Sequence, residues 1–346
     1  MADTDDAPAP PLSAARLVDV AEAAGVAIAT VSRALNNPGR VNAETRSKVI
    51  AAAERLGYAS NMAARKLRSG QSRIIMAVMP PWGRGSVLKE ILSGVDMELA
   101  RSRYSLIVGT LNTDRSASPR VVEMARGGLV DGLIAITNEP PADGDLAVLS
   151  ARLPAVGVMI DLSEHGIPSV ITDEAAAIAE LTASMVAEGR SYLAYLSGPG
   201  SAFPARGPNY HEEQRYAGFL QAAQRVRHCR IEGDFTHAAG ERAAQWFLAQ
   251  EDPPNGIVCA NDHMAVALID ALRRRGVRIP EQVAITGFDD EDIARYCYPS
   301  LTTVRPALKE MGATSVRLLM QLLSGAISPP IPPRVISATI VRRESF

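Results

Sequence analysis

The 346-residue sequence has only three cysteines, Cys229, Cys259 and Cys297, scattered along the chain and odd in number. That argues against a zinc ribbon and a disulfide framework, and a reducing, cytoplasmic setting is expected. The histidines (His165, His211, His228, His237, His263) show no metal-ligand spacing. No metal or other cofactor is therefore expected. No apolar run approaches the ~18 residues needed to span a membrane. The opening "MADTDDAPAPPLSAA" has no basic start and no apolar core, so no signal peptide is read there. A GxSxG elbow, a P-loop, a GxGxxG fingerprint and a marked Cys/His pair are all missing, which weakens any enzyme reading. The glycine-rich "SGPGSAFPARG" (197–207) lacks fingerprint spacing and reads as a loop over a cleft.

What is present is a charge asymmetry hidden under a net charge of −2. Residues 1–11 carry three acids and no base. Residues 12–73 carry ten Lys/Arg against four Asp/Glu, a net of +6, and the remainder carries −5. A basic module of about sixty residues sits on an acidic body, which points to a polyanionic partner. Charge alone leaves a merely solvated basic face equally open. The apolar content of 47% and charged content of 21% are ordinary for a globular chain of two or three domains.

Within the basic module, "DVAEAAGVAIATVSRAL" places two short helices around Gly25, where a tight turn needs positive φ. Leu17, Val20, Ala21 and Ala24 recur at helical spacing, as do Val31 and Leu35. A third helix begins at a cap candidate, Asn42, puts Val49, Ile50, Ala53 and Leu56 on one stripe, and ends at Gly57. Helices this short are marginal alone. Sharing one small core, they leave Ile28, Ala29, Thr30, Ser32 and Arg33 facing solvent. That is the layout of a helix-turn-helix whose second helix enters the major groove. The basic stretch "ASNMAARKLRSGQSR" (59–73) reads as a linker or as a marginal helix that orders on DNA.

The run from Leu17 to Gly70 closely resembles the headpiece of the LacI/GalR family of bacterial transcription regulators. The resemblance implies that Ile28 and Ala29 read bases, and that Thr30, Ser32, Arg33 and Asn36 contact phosphates or bases. It implies that Asn61, Ala64 and Arg68 belong to a hinge helix whose Leu67 wedges into the minor groove. Two departures stand out. Ala27 replaces a usual Ser or Thr cap, forgoing ~1 kcal/mol, and Ser60 stands where a proline is usual.

From Arg73 onward, apolar runs such as "RIIMAVM", "GLIAI", "GIVCA" and "VAITGF" alternate with amphipathic stretches. Such alternation predicts parallel α/β architecture, and about 270 residues suggest two lobes. The body resembles the family's core, which is similar to periplasmic sugar-binding proteins. The expected fold is thus an all-α helix-turn-helix headpiece plus an α/β core of two Rossmann-like lobes. The expected domains are a disordered tail (1–14), the helix-turn-helix (15–58), a hinge (59–72) and the core (73–346). The N-lobe takes 73–165 and 304–328, and the C-lobe takes 166–303 and 329–346. Crossings between lobes are placed near 161–173, 290–304 and 325–333.

The resemblance implies an effector held between the lobes, beyond the carboxyl ends of the strands. Arg215 in "QRYAGF" would grip it with a planar guanidinium, a surface ion pair being the alternative. Asp289 in "TGFDD" and Asn261 in "CANDHM" would bond its polar groups, helix capping being the rival for each. Phe235 would stack on its ring, with a core aromatic as the alternative. Asp161 ends a strand toward the cleft, and Trp82 lies in a loop, "PPWGRGSVL", that departs from the family pattern. A sugar or sugar acid is the first expectation for the effector, a purine or other metabolite the second, and a sugar-modifying enzyme a distant third. The partners expected are double-stranded DNA with a near-palindromic operator, the effector, and a second copy in a homodimer. A tetramer is not expected, because the chain stops at "VRRESF" with no heptad helix.

Overall fold

The computed structural model describes residues 15–36, 38–58, 70–80, 86–111, 119–138, 153–199 and 210–346. The chain divides into two compact units at the Ser72–Arg73 junction. The expected tail (1–14) and most of the expected hinge (59–69) lie outside the described residues.

In the first unit, α1 (Leu17–Ala24), α2 (Ile28–Asn36) and α3 (Ala43–Arg55) share one core. Gly25 ends α1 in the left-handed conformation, φ 66°, as the turn requires. The Asn42 side chain accepts a bond from the Thr45 amide at 2.8 Å and caps α3, which stabilises such a helix by ~1 kcal/mol. The core is Val20, Ala21, Val31, Ala34, Val49, Ala52 and Ala53. These are small side chains, so the helices approach closely. Leu56, read from sequence as part of the α3 stripe, is instead exposed, because the helix ends at Arg55 and Ala52 takes the inward position.

The second unit contains two six-stranded sheets. The N-lobe sheet joins β1 (Ile74–Met79), β2 (Ser105–Thr110), β3 (Gly132–Ile136), β4 (Ala155–Val158), β5 (Ser169–Thr172) and β11 (Arg334–Ile336) in the order β11-β5-β4-β3-β1-β2. Every pairing in it is parallel. The C-lobe sheet joins β6 (Tyr192–Leu196), β7 (Arg227–Ile231), β8 (Gly256–Cys259), β9 (Ala284–Phe288), β10 (Thr302–Arg305) and β12 (Thr339–Val341) in the order β12-β10-β9-β8-β6-β7. Only the β10/β12 pairing is antiparallel. The central strands read as unbroken apolar runs because helices cover both faces.

N-lobe helices are α4 (Val87–Leu99), α5 (Pro119–Arg126) and α11 (Leu308–Leu323). C-lobe helices are α6 (Glu174–Ala187), α7 (Tyr210–Ala223), α8 (His237–Leu248), α9 (Asp262–Arg273) and the short α10 (Asp292–Tyr296). Helices α4 and α11 meet backbone to backbone: a Cβ on Gly94 would stand 2.0 Å from the Lys309 carbonyl oxygen.

The chain crosses between lobes three times, the first at the end of the expected 161–173 stretch, the second and third a few residues later than expected. β5 pairs within the N-lobe sheet, so the first crossing falls between Thr172 and Glu174, and the N-lobe runs past its expected boundary at 165. The second lies between Arg305 and Leu308, and the third between Ile336 and Thr339. Each crossing strand completes its edge pairing in one sheet before leaving it, which sequence patterning alone does not register.

Candidate functional site

On α2, Ile28 and Ala29 are exposed at the first turn, Ile28 with 49% of its surface free, and Arg33 is exposed one turn on. Thr30 and Ser32 are half-buried on the flank of the same helix. Asn36 is its last residue. Val31 and Ala34 point inward and fix which face is offered. The arrangement presents two apolar side chains, two hydroxyls and one guanidinium, the mixture that reads base edges and phosphates. Asn61, Ala64, Leu67, Arg68 and Trp82 lie outside the described residues.

In the C-lobe, four ionisable side chains converge where β8 and β9 end. Arg215, on α7, is buried rather than lining a wet cleft. Its Nε donates to Glu174 Oε2 at 2.6 Å and its Nη1 to the Ala260 carbonyl at 2.5 Å. Its Nη2 stands 3.8 Å from Asp289 Oδ1. The guanidinium lies 3.7 Å over the Phe288 ring, a cation–π contact that fixes its plane. His211, one turn before Arg215, places Nδ1 2.9 Å from Glu174 Oε1.

The electrostatics follow from this geometry. Burial alone would raise the Glu174 carboxyl, but Arg215 and His211 outweigh it and hold it down to about 2. An ionised carboxylate only accepts, so His211 Nδ1 is the donor of this pair. The other ring nitrogen, Nε2, is buried without a hydrogen-bond partner. Such an orphan costs free energy unless something comes to meet it. Burial pushes Asp289 up to about 7, against the pull of Arg215. Asp289 also holds a positive φ of 107°, a strained backbone for a non-glycine residue.

Asn261 and Phe235 form the neighbouring wall. Asn261 caps α9, its Oδ1 accepting from the Met264 amide at 3.0 Å, while its Nδ2 donates to the Phe235 carbonyl at 3.0 Å. The capping role and a cleft position thus coexist. Phe235 has φ 63° and lies against Gly198, where a Cβ would come within 2.2 Å of the ring. The structure therefore brings Arg215, Asp289, Asn261 and Phe235 together at one end of the C-lobe sheet.

Asp161 lies on the other lobe, and after burial its charge is the next cause that raises the phenol of Tyr210, beside His211 on α7. Asp161 is exposed on the N-lobe, and its Oδ1 accepts from the Ser163 amide at 2.9 Å in a local turn. Glu174 and His211 were missed by sequence reasoning. Glu174 hides in "TDEAAA", where Asp173 is the cap, accepting from the Ala176 amide. Its partnership with Arg215 spans 41 residues and has no local signature. His211 could have been found from its i, i+4 placement before Arg215 on one helix face.

A helix-turn-helix unit followed by a two-lobed α/β body with polar groups converging at strand ends defines the class of ligand-responsive DNA-binding regulators. The comparisons agree. Residues 16–61 match the family described as "Bacterial regulatory proteins, lacI family", and residues 182–346 match "Periplasmic binding protein-like domain". The chain is 31% identical to the ribose operon repressor of Bacillus subtilis (strain 168), over 89% of this chain and 92% of that protein. It is 29% identical to the HTH-type transcriptional repressor CytR of Escherichia coli (strain K12), over 90% and 91%. The lac repressor dimer bound to operator and the anti-inducer ONPF superposes with a TM-score of 0.80 at 26% identity, covering 96% of this chain and 99% of that one. The chain belongs to the lacI family of bacterial regulatory proteins: it is a DNA-binding transcription regulator and not an enzyme. Among the described residues, no helix is long and apolar enough to cross a membrane.

Proposed function

We propose that the protein is a cytoplasmic repressor that binds a near-palindromic operator as a homodimer and releases or tightens its grip when a sugar-like effector enters between the lobes. The observation that carries the effector reading is the buried Glu174–His211–Arg215 cluster, beside the half-buried Asp289, with His211 Nε2 left unpartnered. Asp289 offers acceptors, the Arg215 Nη2 end offers donors, and His211 Nε2 is a buried polar atom still to be met, which suits neighbouring hydroxyls. Arg215 already matches its charge with Glu174, so the cluster favours a neutral sugar over a sugar acid. Phe235 supplies a ring face, and that ring is what supports a purine as the second reading.

The dimer reading rests on the two-fold symmetry of operator binding in this class and on exposed apolar side chains on both lobes: Met97 and Val108 on one, Tyr296 and Tyr298 on the other. On α2, Ile28 and Ala29 set sequence preference and Arg33 sets affinity. A thermal-stability screen of the full-length protein against sugars, sugar acids and purines tests the effector reading. A ligand at 100 times its dissociation constant stabilises by ~2.7 kcal/mol. For the headpiece, Ile28→Tyr is expected to change the ranking of a randomised operator library, each base contact counting for ~1–3 kcal/mol. An unchanged ranking removes Ile28 from base readout.

A further inference from the structure

Four consecutive acidic residues follow β9, and the first three are each held differently. Asp289 faces Arg215 in the cluster. The Asp290 side chain is almost wholly buried among three arginines, Arg295, Arg305 and Arg343. Arg305 is the last residue of β10, just before the second crossing between lobes, and Arg343 lies shortly after β12, past the third. Glu291 leaves its own lobe. Its Oε1 accepts from the Ser86 amide at 3.0 Å, a bond between residues 205 apart in sequence. Ser86 opens α4 of the N-lobe.

The details make this bond specific. The Ser86 side chain does not cap its own helix, so the helix end is met by a carboxylate from the other lobe. The amide at a helix N-terminus has no intrahelical partner, and the helix dipole favours an anion there. Glu291 is held in place from its own side as well. Its amide donates to the buried Asp262 Oδ2 at 2.8 Å, and His263 Nε2 stands 2.8 Å from its Oε2. Bonding to His263 keeps the Glu291 carboxyl below its ordinary range. Asp289 and Asp290 both carry positive φ, 107° and 49°. Two strained residues in a row leave little backbone freedom between the effector site and Glu291.

We propose that the triplet Asp289–Asp290–Glu291 couples the effector site to lobe closure, with Glu291 acting as a latch on the N-terminus of α4 and Asp290 tying the triplet to the crossing strands. This rests on the effector reading of the Asp289 cluster. A ligand that engages Asp289 moves a segment whose next two residues grip both the crossings and the opposite lobe. It thereby gains the differential affinity for open and closed states that regulation requires.

The test uses the full-length protein and needs no effector. Hydrogen exchange is followed at the Ser86 amide in the wild type, in Glu291→Ala, and in a control, Asp292→Asn, at an exposed neighbour. That amide has no helical partner, so its protection reports the latch alone. Glu291→Ala is expected to speed its exchange at least tenfold while the interior amides of α4 stay protected. Asp292→Asn is expected to leave it unchanged. The same variants are then titrated against a duplex selected by the wild type from a random library. Glu291→Ala is expected to shift operator affinity threefold or more, and the control to shift nothing. Unchanged exchange at Ser86 in folded Glu291→Ala overturns the latch. Faster exchange with unaltered operator affinity overturns the coupling. Failure of the wild type to select any duplex counts against the regulator reading, and the exchange result still judges the latch.

Discussion

The two lobes share one strand order, yet they are held together by different means. Reading outward from the same edge, the N-lobe runs β2-β1-β3-β4-β5-β11 and the C-lobe β7-β6-β8-β9-β10-β12. Every buried Asp, Glu, His or Arg among the described residues (Glu174, His211, Glu212, Arg215, Asp262, Glu291) belongs to the C-lobe. The N-lobe buries only small hydroxyls: Thr137, Ser169, Thr172 and Ser315. One topology therefore supports an apolar lobe that serves as a frame and a charged lobe that carries the chemistry. Function is grafted onto a fold and is not dictated by it.

The sharpest way to break this comparison is to remove the central arginine of the C-lobe. Arg215→Ala leaves Glu174 buried with only His211 beside it. Breaking one side of a buried pair typically costs ~3–5 kcal/mol. Urea unfolding of the full-length protein is expected to show that loss. The double change Glu174→Gln with Arg215→Met is expected to recover much of it, because no charge is then stranded. A single variant as stable as the wild type would mean that water enters and solvates the cluster.

Acidity separates the lobes next. In the native C-lobe Asp289 keeps its proton up to about 7, while in the unfolded chain it lets go near the ordinary carboxylate value. The native state therefore binds more protons between those limits, and its stability falls as pH rises from about 4 toward about 7. His263, raised first by its bond to Glu291, acts in the same direction. Its contribution is full below its unfolded value and is lost as pH rises through its folded one. Glu174 acts oppositely: held down to about 2, it contributes above its unfolded value and loses that contribution as pH falls toward 2. Asp289→Asn is expected to flatten the slope between pH 4 and 7, an effect of a few kcal/mol at most, and to leave the acid limb in place. Chemical denaturation across that range decides, and a slope that persists in the variant assigns it to other groups.

In the N-lobe the decisive contact is steric. A Cβ at Gly94 would meet the Lys309 backbone oxygen, which has no side-chain freedom with which to yield. Gly94→Ala is expected to cost ~1–3 kcal/mol by forcing α4 and α11 apart. Thermal unfolding measures it. A neutral result would show that the helix pair slides at little cost.

The difference between the lobes also explains what the sequence could show. Alternating apolar runs and helical stretches made both sheets legible, since β1, β3, β8 and β9 read as unbroken hydrophobic strands. The exposed face of α2 was legible because Val31 and Ala34 mark its buried side. Arg215, Asp289, Asn261 and Phe235 were found through the family resemblance. The state of Arg215 was not, because its burial depends on Glu174, 41 positions away and disguised as part of a helix start. The N-lobe boundary and the second and third crossings fall later than expected because β5, β10 and β11 are edge-ward segments of three or four residues, too short to show a period.

The smallest effect expected is at the surface of the N-lobe. Lys309 Nζ lies 3.2 Å from Glu90 Oε2, joining α11 to α4 close to the Gly94 contact. The side chains are 59% and 32% exposed, so water screens the attraction that Glu174 and Arg215 keep in full. Pairs of this kind contribute ~0.2–1 kcal/mol. Glu90→Gln is therefore expected to lower stability by no more than that, and the difference from wild type is expected to vanish in ~1 M salt, where the screening length falls to ~3 Å. Denaturant titrations at low and high salt provide the measurement. A loss above ~2 kcal/mol that survives high salt would show that the N-lobe, too, depends on charge, and the contrast between the lobes would then be one of degree.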